Sequence, residues 1–380
     1  MSSSRRRFLK NAAATAAAAA AAAALPSSPF EEKLAGQTQP APGSAPAPPP
    51  AKGAEGSSSF VLVTSANGVE AAKVARQALI QGYEPLDAAI VGVNVNELDP
   101  NDVTVGYGGI PNEEGVVQLD AAVMDGRTMK AGAVGALEGC KTPSKVARLV
   151  MERTDRVFLV GAGARKFATV QGFPVEELLT EKTKKIWRYW KERMSDIDDW
   201  EVSAKEAEDP DVKWFLEKYG KETFRPQGTI HMSVRSAKGD LACVTTTSGL
   251  FFKMPGRLGD SPVIGAGLYC ENGVGSAGST GRGEANLMIV GSHTVVEFMR
   301  QGKSPEEACL LALKRIDEKT HHVPRHRDEK GRPRFNVNFY ALDAKGRTGG
   351  AAILSGGKHV VADLDGVKTV ESAYLYKKEK

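Results

Sequence analysis

The chain has 380 residues, 41% of them hydrophobic, which is enough to bury a sizeable core, and carries a formal net charge of +4. That excess comes from Arg5, Arg6, Arg7 and Lys10 alone, because residues 1–30 contain no acid and the remaining 46 basic and 46 acidic side chains cancel. A neutral body argues against a nucleic-acid partner, and four scattered cysteines (Cys140, Cys243, Cys270, Cys309) without a CxxC pair argue against a metal cluster or disulfide scaffold, leaving at most an isolated disulfide of unassigned pairing.

Residues 1–25 read as an export signal. Ser4-Arg-Arg-Arg-Phe-Leu-Lys10 fits the twin-arginine pattern and precedes an alanine-rich apolar run, Ala12 to Leu25, too short to span a bilayer. This predicts a periplasmic or secreted protein that meets the membrane only in transit. Residues 26–58 are Pro-, Ala- and Gly-rich and read as an extended linker. The folded part then begins at about residue 59.

Within it, Phe60–Thr64 reads as a buried strand and Val69–Gln81 as an amphipathic helix stopped by Gly82. Pro85 starts a second helix running to about Asn96. Val116–Val123 is a predicted strand, Lys145–Glu152 a helix and Val157–Val160 a short strand. Lys182–Lys218, highly charged with interspersed tryptophans, reads as helical and surface-lying. A glycine-rich passage leads to a helix near Ala285–Arg300, and Ser304-Pro-Glu-Glu307 is a capping box opening another. Phe335–Leu342, Gly349–Leu354 and His359–Ala362 close the chain as strands. Strands at both ends with helices between fit stacked sheets covered by helices.

The segment from Thr229 to Ser236 alternates: Ile230, Met232 and Val234 share one face, Thr229, His231 and Ser233 the other, as in a strand with one buried face. Ala237-Lys-Gly-Asp240 is turn chemistry, and Leu241–Thr247 reads as the returning strand. A turn centred on Lys238-Gly239 sets Thr229 opposite Ser248 and beside Thr247. Hydroxyls converging there after a glycine suggest a nucleophile site; a threonine-rich strand chosen for β-propensity is the alternative.

Other patterns carry less. Gly161-Ala-Gly163 lacks the third glycine of a dinucleotide loop, no Gly-Lys-Ser/Thr or Gly-x-Ser-x-Gly occurs, and His321, His322 and His326 fit a solvated turn better than a metal site.

Gly228–Glu284 is specific. Gly228-Thr-Ile, Thr246-Thr-Ser-Gly249, Gly256-Arg-x-Gly-Asp-Ser-Pro262, Gly265-Ala-Gly and Thr280-Gly-x-Gly-Glu284 occur in one order. Upstream stand Val105-Gly-Tyr-Gly-Gly-Ile-Pro-Asn112, Leu119-Asp-Ala, Met124-Asp-Gly126 and Gly132-Ala-Val-Gly135. Together they resemble the glycosylasparaginase family, which belongs to the N-terminal nucleophile hydrolases, over about residues 60–320.

The resemblance implies an α/β fold of four layers, an αββα sandwich. It also implies a precursor that cuts itself between Gly228 and Thr229, giving a first subunit of residues 59–228 and a second of 229–380. Thr229 is then the nucleophile and its freed α-amine the base, since an α-amino group titrates at roughly 7.7–8.0. Thr247 corresponds to the threonine beside the nucleophile, Thr280 and Gly281 to the oxyanion hole, and Arg257 and Asp260 to the clamp for the substrate's α-carboxylate and α-ammonium. No metal or cofactor is implied, and the assembly expected is a homodimer of cleaved pairs.

The expected activity is hydrolysis of N4-(β-N-acetylglucosaminyl)-L-asparagine through a β-aspartyl-threonine ester. Three departures bear on it. Gly228 stands where glycosylasparaginases commonly have aspartate and plant-type asparaginases glycine. His231 replaces a glycine and either tunes the amine or packs. Ser65 stands where glycan-handling members often carry tryptophan. An L-asparaginase or β-aspartyl-peptidase is therefore the chemical alternative, and an uncut exported amino-acid-binding protein the alternative of another class.

Overall fold

The computed structural model describes residues 60–194, 208–219 and 227–378. The predicted export segment and linker lie outside the described residues, as does the middle of the charged stretch.

Thirteen strands are formed among the described residues: Val61–Ser65 (β1), Leu119–Asp125 (β2), Lys130–Leu137 (β3), Phe158–Val160 (β4), Gln227–Arg235 (β5), Leu241–Leu250 (β6), Leu268–Glu271 (β7), Gly275–Gly281 (β8), Val337–Asp343 (β9), Thr348–Leu354 (β10), Lys358–Asp363 (β11), Gly366–Glu371 (β12) and Ala373–Tyr376 (β13). They build an eight-stranded sheet, β12-β11-β1-β5-β6-β2-β3-β4, and a five-stranded sheet, β13-β10-β9-β8-β7. Helices α1 (Val69–Ile80), α2 (Pro85–Glu97) and α3 (Pro143–Arg153) cover the first sheet, where Ala72, Ala75, Val93, Val146 and Val150 pack on Leu62, Val123, Ile230, Met232 and Val244. A fourth helix, α4 (Gly161–Val170), follows β4 and absorbs the Gly161-Ala-Gly163 motif.

Helices α5 (Glu181–Lys191) and α6 (Pro210–Tyr219) come from the charged stretch. They are less superficial than predicted. Trp190 stacks on Phe252 with ring centroids 4.3 Å apart, and Phe215 and Ile186 are buried with Phe251. The tryptophans that look like interruptions of a polar helix form its packing face.

On the second sheet lie α7 (Gly283–Leu287), α8 (Gly291–Arg300) and α9 (Pro305–Thr320). Val295, Val296, Ala312, Leu313 and Ile316 pack there against Phe339, Ala341 and Ile353. The single helix predicted near Ala285–Arg300 is broken, with Val290 in the left-handed region at φ 50°. The break lets Gly291 press on Phe339, where a Cβ would stand 2.5 Å from Cζ. The predicted capping box is present at Ser304 and Glu307. Between the sheets, Val63, Met124 and Cys243 meet Leu268, Cys270 and Leu342. The order is helices, sheet, sheet, helices, the four layers expected. All four cysteines are buried free thiols.

Candidate active site

The predicted hairpin exists; its register holds at Gly228 and is one residue off from Ile230 to Arg235. Ile230 pairs with Thr246, His231 with Thr245 and Arg235 with Leu241, while Gly228 pairs with Gly249. The turn closes through Ser236 N–H to Asp240 O at 2.9 Å and Gly239 N–H to Ser236 O at 3.0 Å. Between the two registers the single residue Thr229 faces two, Thr247 and Ser248, so a β-bulge on β6 lies opposite it in the middle of the sheet. A bulge re-aims a side chain that regular pairing would fix, and here it lets Thr229 reach Thr247. The predicted face assignment holds, but both faces are buried: Ile230, Met232 and Val234 lie under the helices, and His231 and Ser233 lie between the sheets.

Thr229 Oγ1 lies 2.8 Å from the carbonyl oxygen of Gly228 and 3.1 Å from Thr247 Oγ1. Thr247 Oγ1 donates to the same carbonyl at 2.5 Å and accepts the Gly249 N–H at 2.9 Å. Since Thr247 spends its single proton on that carbonyl, the Thr229 hydroxyl donates to Thr247. The peptide bond before Thr229 thus has a hydroxyl beside it and a donor on its oxygen.

Three neighbours of this bond escaped sequence reasoning. A Cβ on Gly228 would stand 1.9 Å from Thr104 Cβ, so only glycine fits. Thr104 is held by Asp102, whose Oδ1 accepts its N–H at 2.9 Å and its hydroxyl at 2.6 Å. Asn67 Nδ2 donates to the Thr229 carbonyl at 3.3 Å. The Asp-x-Thr spacing is a local turn signal, but nothing in the sequence ties it to position 228.

Thr280 is the last residue but one of β8 on the facing sheet. Its hydroxyl is 2.9 Å from Tyr340 OH and 3.3 Å from Asn338 Nδ2. Gly281 follows at φ 111°, against the Asn336 carbonyl, 2.4 Å from where a Cβ would be. Thr229 and Thr280 line one cavity of about 780 Å³ together with Ser65, Asn67, Asp102 and Tyr219. Arg257 and Asp260 are not among its lining residues. Arg257 pairs with Glu284 at 2.7 Å. Asp260 is buried, accepts from Asn286 Nδ2 at 2.7 Å and from the Ser279 hydroxyl, and has its pKa raised by burial. Ser279 adjoins Thr280, so β8 links Asp260 to the cavity. Of the three histidines of the predicted turn, His321 and His322 are exposed, and His326 sits 3.0 Å from Arg282.

His231 is fully enclosed, with Nδ1 at 2.8 Å from Thr245 Oγ1 and Nε2 at 2.8 Å from Ser233 Oγ, which continues to Ser276 on the other sheet at 2.6 Å. It braces the sheets. Burial pushes its pKa down from 6.5 to about 3. The unfolded chain takes a proton below 6.5 that the folded chain refuses, so this contribution is complete above pH 6.5 and is lost as pH falls toward 3.

Glu97, buried behind β6, accepts from Thr246 Oγ1 at 2.8 Å, Asn94 Nδ2 at 2.6 Å, and Ser144 N and Oγ at 3.0 and 2.8 Å. Burial raises its pKa from 4.5 to about 7, against those hydrogen bonds, which lower it. The folded chain keeps a proton that the unfolded one sheds, so stability falls as pH rises from 4.5 to 7. Between pH 4.5 and 6.5 the two slopes oppose. Glu97→Gln should expose a loss in acid of roughly 1.4 kcal/mol per pH unit, and His231→Gln a similar loss toward neutrality. Thermal melts across that window check both; two variants with the parent's pH slope would contradict the assignment.

A profile of the asparaginase family matches residues 60–324. The chain belongs to the asparaginase family. It is similar to the N(4)-(Beta-N-acetylglucosaminyl)-L-asparaginase of Elizabethkingia miricola, 39% identical over 307 residues, covering 81% of this chain and 82% of that protein. The mouse isoaspartyl peptidase/L-asparaginase is 40% identical over 235 residues, covering 61% of this chain and 65% of its own length, just under two thirds. The rat N(4)-(Beta-N-acetylglucosaminyl)-L-asparaginase is 38% identical over 251 residues, 63% of this chain and 71% of that one. Asparaginase-family membership agrees with the fold and activity expected from the sequence motifs.

Proposed function

We propose that the chain cuts itself between Gly228 and Thr229 and that the freed Thr229 hydrolyses the side-chain amide of N4-(β-N-acetylglucosaminyl)-L-asparagine. The observation that carries this is the Thr229 hydroxyl 2.8 Å from the oxygen of its own preceding peptide bond, with Thr247 donating to that oxygen.

In the first reaction, Thr229 Oγ attacks the Gly228 carbonyl carbon while Thr247 stabilises the developing oxygen charge. The C–N bond breaks, the hydroxyl proton passes to the departing nitrogen, and an ester joins Gly228 to Thr229. Water cleaves that ester, leaving a Gly228 carboxylate and a free α-amine.

In the second reaction that amine takes the Thr229 proton as Oγ attacks the amide carbon of the substrate. Thr280 Oγ1 and the Gly281 N–H receive the oxyanion, and the glycosylamine leaves with the proton. Water then releases aspartate and restores the hydroxyl. Arg257 and Asp260 grip the α-carboxylate and α-ammonium. No step calls for a metal or cofactor. The basic start followed by an apolar run supports export to the periplasm or beyond, and the working unit proposed is a homodimer of cleaved pairs.

A second reading, L-asparaginase or β-aspartyl-peptidase activity, is favoured by Gly228, by Ser65 and by the likeness to the mouse enzyme. Rates on glycosyl-asparagine, L-asparagine and a β-aspartyl dipeptide separate the two. The glycosylated substrate should be released fastest; negligible release from it, with turnover of the others, would reject the first reading.

A further inference from the structure

Arg257 is held by one carboxylate on one edge. Its Nε and Nη2 both donate to the same oxygen of Glu284, at 3.0 and 2.7 Å. A guanidinium can take a carboxylate on its Nε–Nη2 edge or on its Nη1–Nη2 edge. Glu284 uses the first. Beside the second lies Gly259, where a Cβ would stand 3.1 Å from Nη1 and 3.4 Å from Nη2. The absent side chain keeps that edge accessible, and no hydrogen bond from Nη1 is formed with the described residues. The Arg257 side chain is 15% exposed, so it is mostly enclosed and has little freedom to turn another edge outward.

We propose that Glu284 is a positioning and specificity residue: by taking the Nε–Nη2 edge it presents Nη1–Nη2 to the α-carboxylate of the substrate. The proposal rests on the reading of Arg257 as the carboxylate clamp. Glu284 forms no hydrogen bond with Gly228 or Thr229 among the described residues, and its side-chain bonds go to Arg257. Its own negative charge also disfavours a second carboxylate, so its value is orientation, and a neutral acceptor of the same shape serves as well.

Steady-state kinetics on self-cleaved protein, with L-asparagine as substrate, tests this in Glu284→Ala, Glu284→Gln, Arg257→Ala and the Arg257→Ala/Glu284→Ala double variant. Glu284→Ala should raise KM about tenfold, the size expected for losing a charged orienting contact, with kcat within about twofold. Glu284→Gln should stay within about twofold of the parent KM, because its amide oxygen accepts the same two bonds. In the Arg257→Ala background, removing Glu284 should change nothing further. An unchanged KM in Glu284→Ala, beside a raised one in Arg257→Ala, overturns the role of Glu284 alone. An unchanged KM in Arg257→Ala rejects the clamp and this proposal with it. Equal increases in the alanine and glutamine variants, or an added effect in the double variant, would mean that Glu284 acts otherwise than by orienting Arg257.

Discussion

Thr229→Ala is expected to leave the chain in one piece and to lower amide hydrolysis by roughly four orders of magnitude or more. The substitution removes the atom that attacks in both reactions. The uncut peptide bond also withholds the α-amine that would serve as base. Folding should survive, because the side chain faces a bulge and its hydroxyl contacts are to Gly228 and Thr247. Thr229→Ser restores hydroxyl and amine alike and should recover part of both activities. A gel after prolonged incubation, run beside an amide-release assay, checks the pair. Cleavage in the alanine variant would remove Thr229 from the first reaction.

Gly228→Ala is expected to slow self-cleavage by at least about 10- to 100-fold, the effect of roughly 1–3 kcal/mol of overpacking when it falls on a reacting bond. The new Cβ would overlap Thr104 Cβ, which is attached directly to backbone and cannot swing away. Thr104 is further fixed through its N–H and hydroxyl to Asp102, and its carbonyl accepts the Ser248 N–H at 3.2 Å. Relief must therefore come from the Gly228 side, displacing the carbonyl that Thr229 and Thr247 share. Adding Thr104→Gly removes the colliding atoms, so the double variant should cut faster than Gly228→Ala alone. Time courses of fragment appearance read both outcomes, and an alanine variant that cuts at the parental rate would refute the steric account.

Much of this site was legible in the sequence because the motifs are local. Thr229, Thr247 and Gly228 sit on one hairpin, and the period-two pattern of Ile230, Met232 and Val234 gave its face correctly. The register along Ile230–Arg235 was missed by one residue because a bulge has no sequence signal of its own, and that bulge is what brings Thr229 onto Thr247. Thr104 and Asn67 were not found because they reach the site from distant loops, and only the fold brings them there.

The same contrast holds for the elements. Helices with caps and periodicity were read to within a few residues. The strand Lys130–Leu137 was missed because alanine and glycine dominate it, and those residues have weak strand preference. The fold supplies the reason for them: a Cβ on Gly132 would stand 2.1 Å from the Ala147 carbonyl of α3. Likewise β8 looked like a loose glycine-rich passage, yet Gly278 makes room for the His231 ring, 2.0 Å from where its Cβ would be. Close layer packing selected small residues there, and local propensity could not reveal it.

N-terminal sequencing and intact mass of purified, substrate-competent protein bear most directly on the scheme. Two fragments are predicted, the smaller beginning Thr-Ile-His-Met at residue 229. Active protein made of one unbroken chain, or cut only at another bond, would contradict the scheme, because Thr229 would then have no amine with which to work.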